Sequence, residues 1–374
     1  MRLRLAAALV AALALAAPAA ATSPLAEVDA RAYLVENTAT GEVLAARNPD
    51  LPVPIASITK LMTVLVVLDH AKLSDVVTVD ARAARVGESS IPLQAGEQMT
   101  VHDLVEAALI QSANDAADAL ALHVAPSFPA FAKLMNAKAR ELGLEHTHFV
   151  RPDGLDAPGH LSTARDVTKL AWVAMRIRFV RETVRKRVDT IAGGLTLHTW
   201  NDLLGRFPNI LGVKTGHTSG AGWSQVAAAR GRGTTIYATI LGSPDRSTRN
   251  ADLSELLAYG LSQYRVASVV SSRRVYATVR LPYGRAPLEL VAGRSFAKVV
   301  RVGRPLVETV VAPASVALPV REGQRLGEVR ISENGRLVAR RPLVASRSVA
   351  RPGAAGRIGW YAGRAVRHAW GWIR

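Results

Sequence analysis

Cysteine is absent from the 374-residue sequence, which excludes disulfide bridges, thiolate nucleophiles and Cys-ligated zinc or iron–sulfur centres. Aromatic residues are sparse: six Phe, seven Tyr and six Trp do not suggest a platform for stacking nucleic-acid bases. Neither an internal repeat nor a long low-complexity segment is present. Acidic side chains are scarce in one place only. Residues 265–374 hold 21 basic and 5 acidic side chains, whereas residues 1–264 hold 26 and 25. The first part therefore reads as an ordinary soluble domain, and the last as a surface for something anionic: nucleic acid, membrane or an acidic polymer. With 49% hydrophobic and 21% charged residues, a packed core is within reach and whole-chain disorder is excluded.

The N-terminus narrows the choice of partner. Arg2 and Arg4 precede an apolar stretch, Leu5 to Ala17, followed by Pro18 and the small residues Ala19-Ala20-Ala21. That is the three-part pattern of a secretory signal, cut after Ala21. The stretch is short for a membrane span of roughly 20 residues. An exported basic protein meets lipid and cell-wall polymer before it meets DNA, so a nucleic-acid partner is not expected.

Apolar alternation predicts a β-hairpin from Ala30 to Arg47, turning at Asn37-Thr38-Ala39-Thr40-Gly41. From Ile58 to Leu68 the spacing is helical and apolar on nearly all sides, as for a helix inside a core. Residues 101–123 read as helix interrupted at Ser112-Ala113-Asn114. Ser127 reads as an N-cap for a helix ended by Gly143, and Thr163 with Asp166 as a capping box. Strands are expected at Ile210–Thr215, Gly222–Ala229 and Thr234–Leu241, then a helix at about 250–264. Strands from both ends of one region, with helices between, predict an α+β domain: an antiparallel sheet packed with helices. Val266 to Ala345 reads as short strands with Gly and Pro turns, a small all-β domain. The expected boundaries are a signal at 1–21, a main domain at 22–264, a β-rich domain at 265–346, and a linker with a terminal helix at 347–374.

Ser57-Ile58-Thr59-Lys60 puts a hydroxyl and an amine three residues apart, hence on one helix face. Serine is a poor nucleophile until a base takes its proton, and a lysine can be that base if burial and a second cation depress its pKa. Backbone N–H groups at the helix start favour developing negative charge. Chance supplies roughly half of one such spacing in this composition. A rival pair exists, Ser295-Phe296-Ala297-Lys298, and Ser332-Glu333-Asn334 rivals Ser112-Ala113-Asn114. The triplet Lys214-Thr215-Gly216 on a predicted strand decides between them, since its random expectation is on the order of a few hundredths. Lys298 is the last lysine, so no such triplet follows the rival pair. Only Ser57/Lys60, Ser112/Asn114 and Lys214/Thr215/Gly216 occur in order, each on an expected element.

These three signatures resemble those of penicillin-binding proteins and serine β-lactamases. Their surroundings resemble the low-molecular-mass D-alanyl-D-alanine carboxypeptidases over about residues 27–264. The likeness lies in Pro54-Ile55-Ala56, in Asn114-Asp115-Ala116-Ala117 and in the stretches Pro152 to His160, Ser162 to Asp166 and Gly212 to Thr218. The resemblance implies a β-lactamase/transpeptidase-like fold and a serine-type carboxypeptidase that removes the terminal D-alanine from peptidoglycan stem peptides and binds β-lactams covalently. Ser57 would attack the carbonyl of the penultimate D-alanine with Lys60 as base. Ser112 would relay a proton to the leaving amine, and Asn114 would bind the substrate amide. Lys214 would attract the terminal carboxylate and Thr215 hydrogen-bond it, with Arg249 as an extra contact. Gly216 would let a substrate strand lie alongside. Backbone N–H groups of Ser57 and His217 would form the oxyanion hole.

Within that resemblance a class A β-lactamase would need a Glu-x-x-Leu-Asn element. The nearest stretch, Glu141-Leu142-Gly143-Leu144-Glu145, ends in Glu, which points to slow β-lactam release. His146, His148, Asp153, Asp156 and His160 read as loop residues making local hydrogen bonds rather than as metal ligands, and no metal or organic cofactor is expected. A D,D-endopeptidase with the same machinery, or a cell-wall-binding scaffold, are the alternative functions.

On a helical wheel, Ile358, Tyr361, Ala362, Ala365, Val366, Ala369, Trp372 and Ile373 share one side, opposite Arg357, Arg364, Arg367, His368 and Arg374. A cationic helix with an aromatic-edged apolar face suits the surface of an anionic membrane. The alternative is a terminal helix docked on its own β-domain. The expected location is extracytoplasmic, on the outer face of the cytoplasmic membrane.

Overall fold

The computed structural model describes the backbone of residues 8–15 and 25–370, with the side chains of residues 25–363. Arg2, Arg4, the cleavage site after Ala21 and the tail residues Trp372, Ile373 and Arg374 lie outside the described residues. Two compact units form: one is Thr22–Tyr264, the other Arg265–Arg374 with Met1–Ala21.

The first unit is built on a five-stranded antiparallel sheet. Its N-terminal hairpin pairs β1 (Ala32–Asn37) with β2 (Glu42–Arg47). Asn37 Oδ1 accepts the Ala39 N–H at 3.2 Å, and Gly41 closes the turn at φ +70°, a conformation glycine takes without strain. Three later strands, β3 (Ile210–Thr218), β4 (Gly222–Gly231) and β5 (Thr234–Ser243), complete the order β2-β1-β5-β4-β3. Ala238 of β5 stands opposite Val35 on one side and Ala227 on the other. The middle of β4 and of β5 is buried on both faces, which is why Val226 to Ala229 and Ile236 to Leu241 read as runs rather than alternations.

Helices cover both faces of the sheet. Besides a short helix at Arg178–Thr183, they are in chain order α1 (Lys60–His70), α2 (Val101–Glu106), α3 (Asn114–Val124), α4 (Phe128–Glu141), α5 (Ala164–Ala174) and α6 (Arg246–Ser262). Thr168 of α5 meets Thr239 of β5, hydroxyl to hydroxyl, at 2.6 Å. Gly260 of α6 lies over Ile236, where a Cβ would sit 2.6 Å from Ile236 Cγ2. Positions three apart on a strand point to opposite faces, so the sheet lies between α5 and α6. α1 is buried from Lys60 to Val67 and packs against α3, α4 and α5. Burying Leu61 and Met62 there contributes about 1.5–3 kcal/mol each.

Two local expectations are corrected. Thr163 caps α5 by accepting the Asp166 N–H, but the Asp166 carboxylate does not return to close a box. It accepts instead from His146 N–H (2.9 Å) and Thr147 Oγ1 (2.7 Å), tying the 146–147 loop to the helix start. The helix expected at about 250 begins at Arg246, because Asp245 caps it by accepting Thr248 N–H at 2.9 Å. Arg249 consequently sits in its first turn.

In the second unit a six-stranded antiparallel sheet encloses a core that includes Val279, Leu288, Leu290, Val329, Ile331 and Leu343. Its edge strand Ala8–Leu15, within the apolar N-terminal stretch, pairs with Leu306–Pro313. The terminal helix α7 (Ala354–Trp370) brings Trp360 and Tyr361 against Tyr283, with ring centroids 5.6 and 6.3 Å apart. Ile358 stays 69% exposed. Among the described residues no helix is long and apolar enough to cross a membrane.

Candidate active site

Three segments far apart in sequence meet beside β3, at the edge of the sheet in the first unit. The first is a single 3-10 turn, Ala56–Thr59, leading into α1. Ser57 thus lies in a tight turn, and Lys60 opens the helix. The second is the break between α2 and α3. A π turn at Ala107–Gln111 ends on Ser112 in the left-handed region at φ +66°, and α3 resumes at Asn114. A helix interruption of this kind aims side chains that a continuous helix would have directed elsewhere. The third is β3 itself, carrying Lys214, Thr215, Gly216 and His217.

Lys60 is fully buried, and its Nζ donates to Ser57 Oγ at 2.8 Å, Asn114 Oδ1 at 2.7 Å and the Asp153 carbonyl at 2.7 Å. Burial pulls its pKa down to about 8, against Asp153, Asp118, Asp115 and Glu88, whose negative charge holds it up. Lys214 is equally shut in. Its Nζ donates to Ser112 Oγ at 2.8 Å and to the Thr215 carbonyl at 3.0 Å. Burial first, then the positive charge of Lys60 and Arg249, pushes its pKa well below the usual lysine value. The charge on Lys60 therefore disfavours a charge on Lys214.

Asn114 is held by the loop before it: its backbone N–H reaches Ser89 O at 2.7 Å, and its Nδ2 reaches Gly87 O at 3.0 Å. One Nδ2 hydrogen remains free for a further acceptor. A cavity of about 240 Å³ opens over these groups, walled by Ser57, Ser112, Asn114, Thr215, Gly216, His217 and Arg249. Glu88, Ser89, Trp200, Trp223 and Arg246 complete the lining.

The hydrogen of Gly216 that a Cβ would replace faces the chain's own nucleophile turn. A Cβ there would lie 2.7 Å from Ile55 O and 3.2 Å from Ser57 N. The approach that this glycine permits is between β3 and residues 55–57, rather than room for a substrate strand. His217 stacks on Trp223 across the β3–β4 pair, centroids 4.0 Å apart. Arg249 is 1% exposed; its Nε and one terminal nitrogen are spent on Asn250 Oδ1 and Asp202 Oδ2. Burial lowers its pKa to about 10, so it keeps its charge at neutral pH.

Sequence reasoning passed over several of the supporting groups. Asp153, a loop residue by its sequence, is one of them. Its carbonyl holds Lys60, and its carboxylate is clamped by Arg151 at 2.7 and 2.5 Å. His160 Nδ1 accepts the Val150 N–H, leaving Nε2 to donate to Thr59 Oγ1 at 2.8 Å beside the nucleophile, and burial lowers its pKa to about 4. Asp118, one turn after Asn114, is a buried carboxyl with no hydrogen-bond partner for Oδ1. Only the helical spacing Asn114/Asp118 could have signalled it. Arg246 and Arg249, three apart on α6, were a readable pair of which only Arg249 stood out.

The rival motifs are placed differently. Ser295 bonds Ser272, while Lys298 pairs with Glu333 at 3.1 Å from a strand starting at Phe296. Ser332 to Asn334 ends a strand in a turn. Glu141 and Glu145 do not line the cavity.

A family model described as D-alanyl-D-alanine carboxypeptidase (Peptidase_S11) matches residues 17–245. The chain is 34% identical over 348 residues to the D-alanyl-D-alanine carboxypeptidase DacC of Escherichia coli strain K12, spanning 88% of this chain and 87% of that protein. It is 30% identical over 345 residues to DacF of Bacillus subtilis strain 168, covering 89% and 88%. Among solved structures, penicillin binding protein 5 from Haemophilus influenzae superposes with a TM-score of 0.63 at 26% identity, covering 87% of this chain and 99% of that one.

Proposed function

The chain belongs to the D-alanyl-D-alanine carboxypeptidase family and is a serine-type hydrolase of that class, and on that premise we propose how its own residues carry the reaction. The substrate is a peptidoglycan stem peptide ending in D-Ala-D-Ala, and β-lactams acylate the same serine. The observation that carries the reading is the environment of the Lys60 amine. Two of its three polar neighbours, Asn114 Oδ1 and the Asp153 carbonyl, can only accept hydrogen bonds. When Lys60 is neutral, both keep an N–H, and the lone pair is left for the neighbour that can donate, Ser57.

Ser57 Oγ attacks the carbonyl of the penultimate D-alanine as Lys60 takes its proton, and backbone N–H groups of Ser57 and His217 receive the oxyanion. Ser112, hydrogen-bonded to Lys214, passes a proton to the leaving amine. Thr215, Lys214 and Arg249 receive the terminal carboxylate, and the free Nδ2 hydrogen of Asn114 takes the amide carbonyl on the acyl side. Water then releases the shortened peptide.

The same reading places the protein outside the cytoplasm, with α7 lying on the anionic membrane surface. Support comes from the export-type N-terminus, the basic final third and the exposed Ile358 and Tyr361 on that helix. Removal of residues 353–374 is expected to shift the protein from the membrane to the soluble fraction. Unchanged fractionation would refute this.

Labelling with fluorescent penicillin tests the enzymatic reading: wild type and Ser295→Ala take the label, Ser57→Ala does not, and mass spectrometry puts the adduct on the Ser57 peptide. Release of free D-alanine from a pentapeptide is expected. Cleavage confined to cross-linked dimers would make the protein an endopeptidase instead.

A further inference from the structure

The cavity wall is electrically lopsided. Its charged lining residues at one end are cationic, Arg246 and Arg249, whereas Glu88 is the one carboxylate among the lining residues described. Glu88 has no hydrogen bond or ion pair among the described residues. Most comparable groups nearby are engaged: Arg246 with Asp202, Asp153 with Arg151, and Asp115 with the backbone N–H groups of Ile91 and Leu93.

Its setting is rigid. The carbonyls of Gly87 and Ser89, on either side of it, both accept hydrogen bonds from Asn114, and Ser89 Oγ donates to the Gln111 carbonyl at 3.0 Å. The loop is therefore pinned to the segment bearing Ser112 and Asn114. Glu88 itself adopts φ +64°, a conformation that Gly or Asn takes with less strain. A carboxylate that makes no direct hydrogen bond or ion pair, acting on Lys60 and Arg151 only through its charge and displayed from a strained position in a pinned loop lining a reactive cleft, has the marks of a recognition element.

We propose that Glu88 determines specificity by binding a free amine on the side chain of the residue that precedes D-Ala-D-Ala. The inference rests on the carboxypeptidase reading, which sets the direction of the peptide. The terminal carboxylate lies toward Arg249 and Thr215, and the acyl side toward Asn114. Glu88 is bracketed by Asn114's hydrogen bonds, so the group it meets lies on the N-terminal side of the scissile bond. A primary ammonium of a diamino acid supplies the direct ion-pair partner that Glu88 lacks. Because the site is open to solvent, the preference is modest and salt-sensitive.

The test compares kcat/KM for D-alanine release from Nα-acetyl-L-Lys-D-Ala-D-Ala, with the side-chain amine free or acetylated. Wild type is expected to favour the free amine about two- to fivefold at low salt, with the ratio approaching one in 1 M salt. Glu88→Gln brings the ratio to one, Glu88→Lys takes it below one, and Glu88→Asp retains part of it. Penicillin labelling of each variant reports an intact cleft. A ratio that is the same in wild type and labelled Glu88→Gln overturns the proposal and leaves the enzyme reading standing. Absence of D-alanine from either peptide with the wild type overturns both.

Discussion

Lys60 Nζ and Ser57 Oγ are 2.8 Å apart, and of the three groups bonded to that amine only the serine hydroxyl can give it a proton. The nucleophile is thus selected by the valence of its neighbours as well as by distance.

Replacing Lys60 by Gln removes the base while leaving a polar group. A positioned general base is worth about 10²- to 10⁴-fold, and the second-order rate of penicillin acylation should fall within that range. Stopped-flow labelling measures it. A loss under tenfold would show that another group takes the Ser57 proton.

Asp118 carries a second prediction, in pH. Burial, then the charge of Asp153, raises its pKa to about 8, far above the value of about 3.9 for an unfolded aspartate. A group raised on folding stabilises fully below its unfolded pKa, and that contribution is lost as pH rises through the folded value. Asp118→Asn abolishes this dependence, so the stability of the variant minus that of wild type should climb from pH 5 to pH 8 in thermal melts. Asp118 also helps hold the Lys60 pKa up. Without it, the rising limb of the acylation profile, at about pH 8 in wild type, should move to lower pH. A difference in stability that is flat with pH would rule out the buried carboxyl as its source.

The cationic end of the cavity predicts selectivity for a free C-terminus. A hydrogen bond to a charged group contributes about 1.5–3 kcal/mol, which corresponds to roughly 10- to 100-fold in kcat/KM. Arg249→Gln should lose that much on a peptide with a free carboxylate and far less on its C-terminal amide. Equal losses on both would assign Arg249 a role in folding through Asp202 and Asn250.

Gly154 supports the nucleophile turn from behind. It has φ +85°, and a Cβ there would overlap the Ala56 carbonyl and come within 2.9 Å of Thr59 Cβ. Gly154→Ala combines backbone strain with overpacking, at about 1–3 kcal/mol for the latter alone. A clear fall in melting temperature together with weaker penicillin labelling is expected. Normal labelling would mean that residues 56–59 tolerate displacement.

Local signals carried far in this protein because several have a single physical meaning. Alternation around Asn37 to Gly41 specifies a hairpin, and the all-apolar stretch after Ile58 can only be buried. The helix start at Arg246 is not visible in the pattern of apolar residues, which begins later, because its cap is a polar contact between Asp245 and Thr248. The Asp166 carboxylate departs from the expected capping box for a related reason: donors about 20 residues away in sequence, His146 N–H and Thr147 Oγ1, take it instead of the Thr163 N–H.

The order and spacing of Ser57/Lys60, Ser112/Asn114 and Lys214/Thr215/Gly216 named the chemistry, because bond lengths and helix geometry constrain neighbours in the chain. What lies around those groups had to come from tertiary structure. The Asp153 carbonyl on Lys60 and His160 on Thr59 are contacts across tens of residues, and that Asp118 Oδ1 and the Glu88 carboxylate find no hydrogen-bond partner follows only from what is packed around them. Burial and hydrogen-bond valence are properties of the packed interior, and no stretch of chain contains them until distant segments close around one another.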